Sequence, residues 1–522
     1  MLKKLHGRKL AVCLLGGAMY ALFSAFGWQA EHGGVIWAGG ALLVAALLVW
    51  PIAALLAVLL ERGYTRALRQ EKPFCAGRAF AFMLACYVPM FCVAFPGSFA
   101  YDVPYQLRQV VTGAYSTHHP LLHTLALGGL LQLGRALGDI NLGAALYTAL
   151  QMALLAGCFA LTCGSIARQS GARAAKRAAV FFALYPLNMV MAVNATKDVL
   201  FGGFFALTLA LLNEMQERPS RGLTLKIAVC GALAVMLRNN MAYAALVWLA
   251  LLTIGLRKGE KSAALAVLLA LAVGLCGNAA LKRATRAESG DMSEMLSWPI
   301  QQLARARLYD EDRLTDAEKE AIDELMPGEA WACYDPTISD PVKFEFDTQT
   351  FRADVKKYVG VWLSVGKKCA GTYLDATMAL TYPFFYPYRE YRVSGYYVQM
   401  GMSDAYDASW CDFDPPESRS LFPRALASLS WRFGAKGAMQ IPVVGWLFNM
   451  GVIVWMMLFF ALREMYWGRW RRFGTALLPV LLWGTFLLGP VMAGRYIYPF
   501  VCALPVLAAR PGRSVKEAAR HG

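Results

Sequence analysis

Acidic residues are scarce in this chain: 35 Asp and Glu stand against 51 Lys and Arg in 522 residues, and only 16% of the residues are charged. Histidine is scarcer still, at six. With 57% hydrophobic residues the composition is too apolar for a soluble multidomain protein and indicates a polytopic membrane protein. No Walker loop, dinucleotide fingerprint or metal-spaced Cys/His cluster occurs, which argues against ATP-driven transport and leaves neither a cofactor nor a divalent metal with support. Internal repeats and low-complexity tracts are also missing. Nine of the twelve cysteines lie in or beside apolar runs, leaving Cys333, Cys369 and Cys411 in polar sequence where oxidation is open to them. A Cys333–Cys411 bridge is favoured because Cys369 falls in a predicted helix, but spacing alone does not fix the pairing.

What is abundant is apolar sequence. A membrane crossing needs roughly 17 to 25 such residues. Runs of this kind fall at about 10–27, 34–60, 79–95, 141–166, 178–194, 199–213, 222–237, 240–256, 262–281, 441–462, 474–491 and 495–509, which predicts an all-α protein with twelve spans. The segment 105–138 reads instead as helices lying along the outer surface, because Arg108, Arg135 and Asp139 bracket it and a crossing there would invert everything downstream. Loop charge agrees with that count. With both termini cytoplasmic, every cytoplasmic segment is rich in Lys and Arg, from Lys3, Lys4, Arg8 and Lys9 to Arg510, Arg513, Lys516 and Arg520. The net charge of +16 is thus a topological signature, with no call for nucleic acid as a partner. The first span reads as an uncleaved signal anchor, since no small-x-small cleavage site follows it.

Residues 282–440 form the one large polar block, with 19 basic and 24 acidic residues in 159. That is enough chain for a core of its own, and it is placed outside the cytoplasm. It reads as mainly helical: Thr315 precedes Glu318 in capping-box spacing, and a second helix is expected over about 350–377. The aromatic stretch 379–397, with Tyr382, Phe384, Phe385, Tyr386, Tyr388, Tyr391, Tyr396 and Tyr397, is expected to rest on the bilayer as an interfacial belt, with a place beside the acceptor site as its second reading, because aromatics also stack on sugar rings.

The ionisable residues at the outer rim are Asp102, Arg108, His118, His119, His123, Lys197, Asp198, Arg238 and Arg495, drawn from five loops. Asp102 follows an uncharged run of 23 residues from Ala79 to Tyr101. Carboxylates at a membrane rim are costly, and such groups tend to serve a substrate or ion. A carboxylate among cations and imidazoles suits an anionic lipid-linked donor: the cations hold a phosphate and the carboxylate takes a proton from an acceptor hydroxyl. Each residue also has a plainer reading. Asp102 sits where it would cap a helix starting near Pro104, Lys197 and Asp198 are placed to pair with each other, and Arg238 and Arg495 fall where membrane-end anchors do. His123 is expected to face the interface.

The blocks PGSFAYD (96–102), HHPLLHT (118–124), TKDVLF (196–201), LRNN (237–240) and RYIYP (495–499) resemble those of an uncharacterised bacterial branch of the GT-C superfamily of integral membrane glycosyltransferases, related to protein mannosyltransferases and aminoarabinose transferases. The resemblance implies a seven-span module over 79–281 with surface helices at 105–138, two extra spans in 1–78, the extracytoplasmic domain at 282–440 and three spans in 441–522. It further implies that Asp102 is the catalytic or substrate-orienting carboxylate; from their place at the outer rim, His118, His119, Lys197, Asp198, Arg238 and Arg495 are expected to border the substrate. The expected activity is inverting transfer of a sugar from a polyprenyl phosphate to an envelope glycan, lipid or protein at the bacterial cytoplasmic membrane. One departure matters: many members carry two acidic residues in the first loop, whereas here no acidic residue neighbours Asp102 before Asp139, which puts metal dependence in doubt. Two other classes compete. A flippase of lipid-linked saccharide would use the same cations but commonly shows repeated halves, and an envelope scaffold would leave the rim residues without a purpose.

Overall fold

The computed structural model describes residues 5–32, 38–61, 66–67, 73–255, 261–387, 398–402, 415–434, 441–510 and 512–513. Helices dominate. In chain order they are α1 (Arg8–Glu31), α2 (Ala38–Glu61), α3 (Ala76–Ala94), α4 (Val103–Thr112), α5 (Leu121–Ala136), α6 (Ile140–Ser170), α7 (Ala172–Leu184), α8 (Pro186–Ala192), α9 (Lys197–Glu217), α10 (Arg221–Leu237), α11 (Asn239–Gly255) and α12 (Lys261–Thr285). The polar domain adds α13 (Ser297–Tyr309), α14 (Asp316–Leu325), α15 (Asp340–Lys343), α16 (Thr348–Ala353), α17 (Val355–Lys368) and α18 (Ala370–Thr381). After it come α19 (Pro423–Gly434), α20 (Met450–Tyr466), α21 (Trp470–Leu487) and α22 (Tyr498–Ala508). Two short strands, Arg66–Ala67 and Gly512–Arg513, pair in parallel.

Among the described residues, α1, α2, α3, α6, α9 and α12 are long and apolar enough to cross a membrane, which makes this an all-α protein of the integral membrane type. Leucines such as Leu43 and Leu47 on α2 are 62% and 69% exposed, an outward apolar face that suits lipid rather than water. By contrast α9 is buried along nearly its whole length, against α6, α10 and α22. A helix apolar on every side belongs at the centre. The expected span at 178–194 is not continuous: Tyr185 is extended ahead of Pro186, and the run divides into α7 and α8, of 13 and 7 residues. α10, α11 and α20, at 17 residues each, are at the lower end of a crossing length, and α22, at 11, is shorter than one.

The stretch 105–138 holds α4 and α5. Pro104 opens α4, and Gly113 ends it in the left-handed conformation (φ 71°). α5 then crosses α6 closely: a Cβ on Gly134 would lie 2.3 Å from Gly143 N, so the two backbones touch.

The polar domain has its own apolar core, in which Ile300, Leu303, Ile322, Leu325, Val365 and Tyr373 pack around α13. Thr315 and Glu318 form the capping box at the start of α14. The helix expected over 350–377 is three helices instead, because Asp354 leaves helical geometry to cap α17, accepting from Lys357 N, and Cys369 breaks the run again. Cys369 is buried and Cys333 exposed; Cys411, the expected partner of Cys333, lies outside the described residues. The aromatic stretch also differs from expectation. Tyr382, Phe384 and Phe385 are buried in the main helical core, with Phe385 5.2 Å from Phe23 and its carbonyl accepting from Trp455 Nε1, because this segment docks on α1 and α20. Tyr388, Tyr391, Tyr396 and Tyr397 lie outside the described residues.

Candidate functional site

Short backbone pairings bring the rim loops together. Ser98 N donates to Val193 O and Ala195 N to Ser98 O, joining the loop before Asp102 to the loop before Lys197. The polar domain ties the first of these to two further loops: Phe99 N donates to Gly401 O, Glu288 N to Tyr115 O after α4, and Ser339 N to Pro490 O before Arg495. Segments far apart in sequence thereby converge on one spot.

At that spot the Asp102 carboxylate is clasped by two cations. Lys197 Nζ donates to Oδ2 at 2.9 Å, and the Arg495 guanidinium meets both oxygens, Nη1 to Oδ2 and Nη2 to Oδ1, each at 3.2 Å. Asp102 stands at the N-cap position of α4, yet its side chain makes no capping bond, so the capping role is not the one it plays. Its side chain is 20% exposed. Burial alone would raise its pKa, but the Arg495 and Lys197 charges hold it well below the usual carboxylate range.

Behind this clasp sits a second pair. Asp198 is fully buried and accepts from Arg238 Nε at 2.5 Å and from Thr196 Oγ1 at 3.2 Å, so Lys197 and Asp198 do not pair with each other. Neighbours on a helix point in different directions, which sends each to its own partner. Arg238 is not a membrane-end anchor: its guanidinium lies 4.6 Å and 4.5 Å from the Phe486 and Tyr496 ring centroids, and the residue is buried. Arg495 links the two pairs, its Nε 3.8 Å from Asp198 Oδ2 and without a hydrogen bond. Tyr101 supports Arg495 from below, with 4.5 Å between guanidinium and ring centroid. Its backbone is left-handed (φ 55°), a conformation disfavoured for an aromatic residue and held here by that stacking and by Gln399 N donating to its hydroxyl.

His119 Nδ1 is 3.7 Å from Asp102 Oδ2 and has no hydrogen-bond partner. Burial pushes its pKa down to about 3, outweighing the pull of Asp102, so the ring is neutral and the contact is not an ion pair. His118 is exposed and meets His119 edge-on at 4.6 Å. The structure therefore brings Asp102, His119, Lys197, Asp198, Arg238 and Arg495 into one cluster with His118 at its edge. Among the described residues three cations in it face two carboxylates, leaving one positive charge over. Among the described residues no three His, Cys, Asp or Glu side chains gather as a metal site would require.

His123 departs from expectation. It is 1% exposed and sits in a buried chain that runs from α4 to the Lys197 loop. Gln151 Nε2 donates to Ala192 O and Asn194 O, which leaves its Oε1 to accept from the Tyr147 hydroxyl at 3.0 Å. With that proton spent, the Tyr147 oxygen accepts from His123 Nε2 at 2.8 Å, and His123 Nδ1 accepts from Gln106 Nε2 at 3.0 Å. One neutral tautomer is thereby specified, in keeping with burial drawing the His123 pKa down to about 4. Sequence reading passed over Tyr147 and Gln151, although two polar residues four apart inside an apolar run share one helix face and were a usable signal. Tyr101 and Tyr496, the rings beneath the arginines, each directly adjoin a charged rim residue.

A family model described as a family of unknown function (DUF6020) matches residues 105–521. No curated protein and no solved structure matches the chain.

Proposed function

This chain belongs to the family of unknown function DUF6020, so its activity has to be read from the site, and we propose that it is an inverting, GT-C-type glycosyltransferase acting on a polyprenyl-phosphate-linked sugar. One observation carries the reading: a carboxylate held between a lysine 95 residues away and an arginine 393 residues away, in a partly exposed cluster with one surplus positive charge among the described residues. A phosphate neutralises that charge, and Lys197 with Arg495 is the donor set to hold it. In the proposed reaction an acceptor hydroxyl oxygen attacks the anomeric carbon from the face opposite the phosphate. The bond from that carbon to the phosphate oxygen breaks, its electron pair stays on the polyprenyl phosphate, and the hydroxyl proton passes to Asp102. No protonating acid is needed, because phosphate leaves readily, unlike the two-carboxylate arrangement of glycosidases.

The same proposal places twelve crossings in a bacterial cytoplasmic membrane, both termini in the cytoplasm, and the polar domain and cluster on the opposite side; loop charge supports it. The acceptor is an envelope glycan, lipid or protein. Asp102→Asn tests the chemistry. Turnover should fall by about 10²-fold or more, and mass spectrometry of a deletion strain carrying this variant should show the polyprenyl-linked sugar accumulating. A fully active Asn variant removes Asp102 as the base, and donor trapped on the cytoplasmic side would favour a flippase.

A further inference from the structure

We propose that in the ligand-free protein the Asp102 carboxylate occupies the seat of the donor's phosphate, so that donor binding exchanges one anion for another and releases Asp102 to act. The inference rests on the phosphate reading above and concerns how that site is kept closed.

The geometry of the clasp is that of a ligand. Arg495 presents two parallel N–H groups to the two Asp102 oxygens, the fork that carboxylate and phosphate share, and Lys197 adds a third donor to the same group. Only one of the two carboxylates in the cluster is exchangeable. Asp198 is fully buried and its partner Arg238 is walled in by Phe486 and Tyr496, whereas the Asp102 side chain reaches solvent. The cations hold position without Asp102: Arg495 is stacked between Tyr101 and Tyr496, at 4.5 Å and 5.3 Å, and Lys197 begins the central helix α9. Asp102 makes no capping bond, so once its cations turn to another anion its side chain is free to swing about Cα.

The exchange also resolves a chemical difficulty. A carboxylate bound by two cations is a poor base, and the Arg495 and Lys197 charges hold Asp102 well below its ordinary pKa despite burial. Phosphate arriving on those cations returns Asp102 towards the ordinary range, so proton acceptance becomes available only when the donor is in place.

An alternative role for Asp102, orienting the cations for a phosphate that binds beside it, predicts the opposite sign. The test measures binding of farnesyl phosphate, inorganic phosphate and, as uncharged control, farnesol to the purified full chain at low salt. Under exchange, Asp102→Asn removes the competing anion and should lower the phosphate Kd by on the order of 10-fold or more, while Asp102→Glu, which restores a carboxylate, should not tighten binding. Unchanged or weaker binding by Asp102→Asn overturns the exchange. Tightening with farnesyl phosphate, bound more tightly than inorganic phosphate, identifies a lipid phosphate as occupant; tightening with inorganic phosphate and no gain from the prenyl chain supports exchange but overturns the lipid donor. Arg495→Ala and Lys197→Ala separate the two layers. If neither weakens phosphate binding, the phosphate reading itself fails; if both weaken it and Asp102→Asn does not tighten it, only the exchange fails. Infrared difference spectra of the wild-type chain supply a check that needs no variant to fold: farnesyl phosphate should shift a carboxylate band, and a spectrum without one overturns the proposal.

Discussion

Neutralising Asp198 should destabilise the protein severely, and neutralising Arg238 as well should restore most of the loss. The pair is the most enclosed of the cluster, with side chains 0% and 7% exposed and 2.5 Å between Arg238 Nε and Asp198 Oδ1. Asp198→Asn keeps the shape and an acceptor for Thr196 but leaves the Arg238 charge buried with two aromatic rings and no counter-ion. Breaking a buried pair from one side costs about 3–5 kcal/mol, whereas replacing both members by neutral groups is often close to neutral. Each single variant, Asp198→Asn or Arg238→Gln, should therefore lose about 3–5 kcal/mol, and the double variant less than either of them, which requires a coupling energy above about 3–5 kcal/mol. Denaturant unfolding followed by tryptophan fluorescence in a single detergent reads all four proteins. Strict additivity of the two single effects would refute the reasoning, because it would mean that the two charges do not feel each other across 2.5 Å.

Two further outcomes follow from the titrations and the topology. His119 and His123 are neutral in the fold, with pKa values drawn from 6.5 down to about 3 and about 4, so as pH falls the unfolded chain takes up protons first and stability is lost below about pH 6.5. Between pH 7.5 and 5.5 this amounts to about 1.4 kcal/mol for each histidine, seen as a drop in Tm that His123→Gln should roughly halve; a Tm indifferent to pH in this range contradicts the buried neutral state. For topology, cysteines placed at Gly222 and Ala332 on a background lacking reactive thiols should label from opposite sides of the membrane, since three proposed crossings separate them, and labelling from one side means the span count is wrong by an odd number.

The apolar runs, the helical class and the short roster of ionisable residues at their ends were legible in the chain, because lipid solvation acts on each segment by itself and leaves its mark in local composition. So was the capping box at Thr315, which needs only residues three apart. Partnerships were not. Lys197 stands beside Asp198 in sequence yet binds Asp102, and Asp198 binds Arg238, because consecutive side chains on a helix diverge and Coulomb attraction rewards whichever charge the fold brings within a few ångströms. The burial of His123 and of Tyr382, Phe384 and Phe385 was hidden for a similar reason: an aromatic or imidazole ring suits a membrane interface or a core equally well, and only the docking of α4 on α5 and of the 382–385 segment on α1 and α20 decides. What the sequence determined by itself was thus which groups stand at the ends of the apolar segments. Which of them meet, and that Asp102 joins Lys197 and Arg495, was decided by tertiary contacts between residues 95 and 393 positions apart, whose geometry no local pattern encodes.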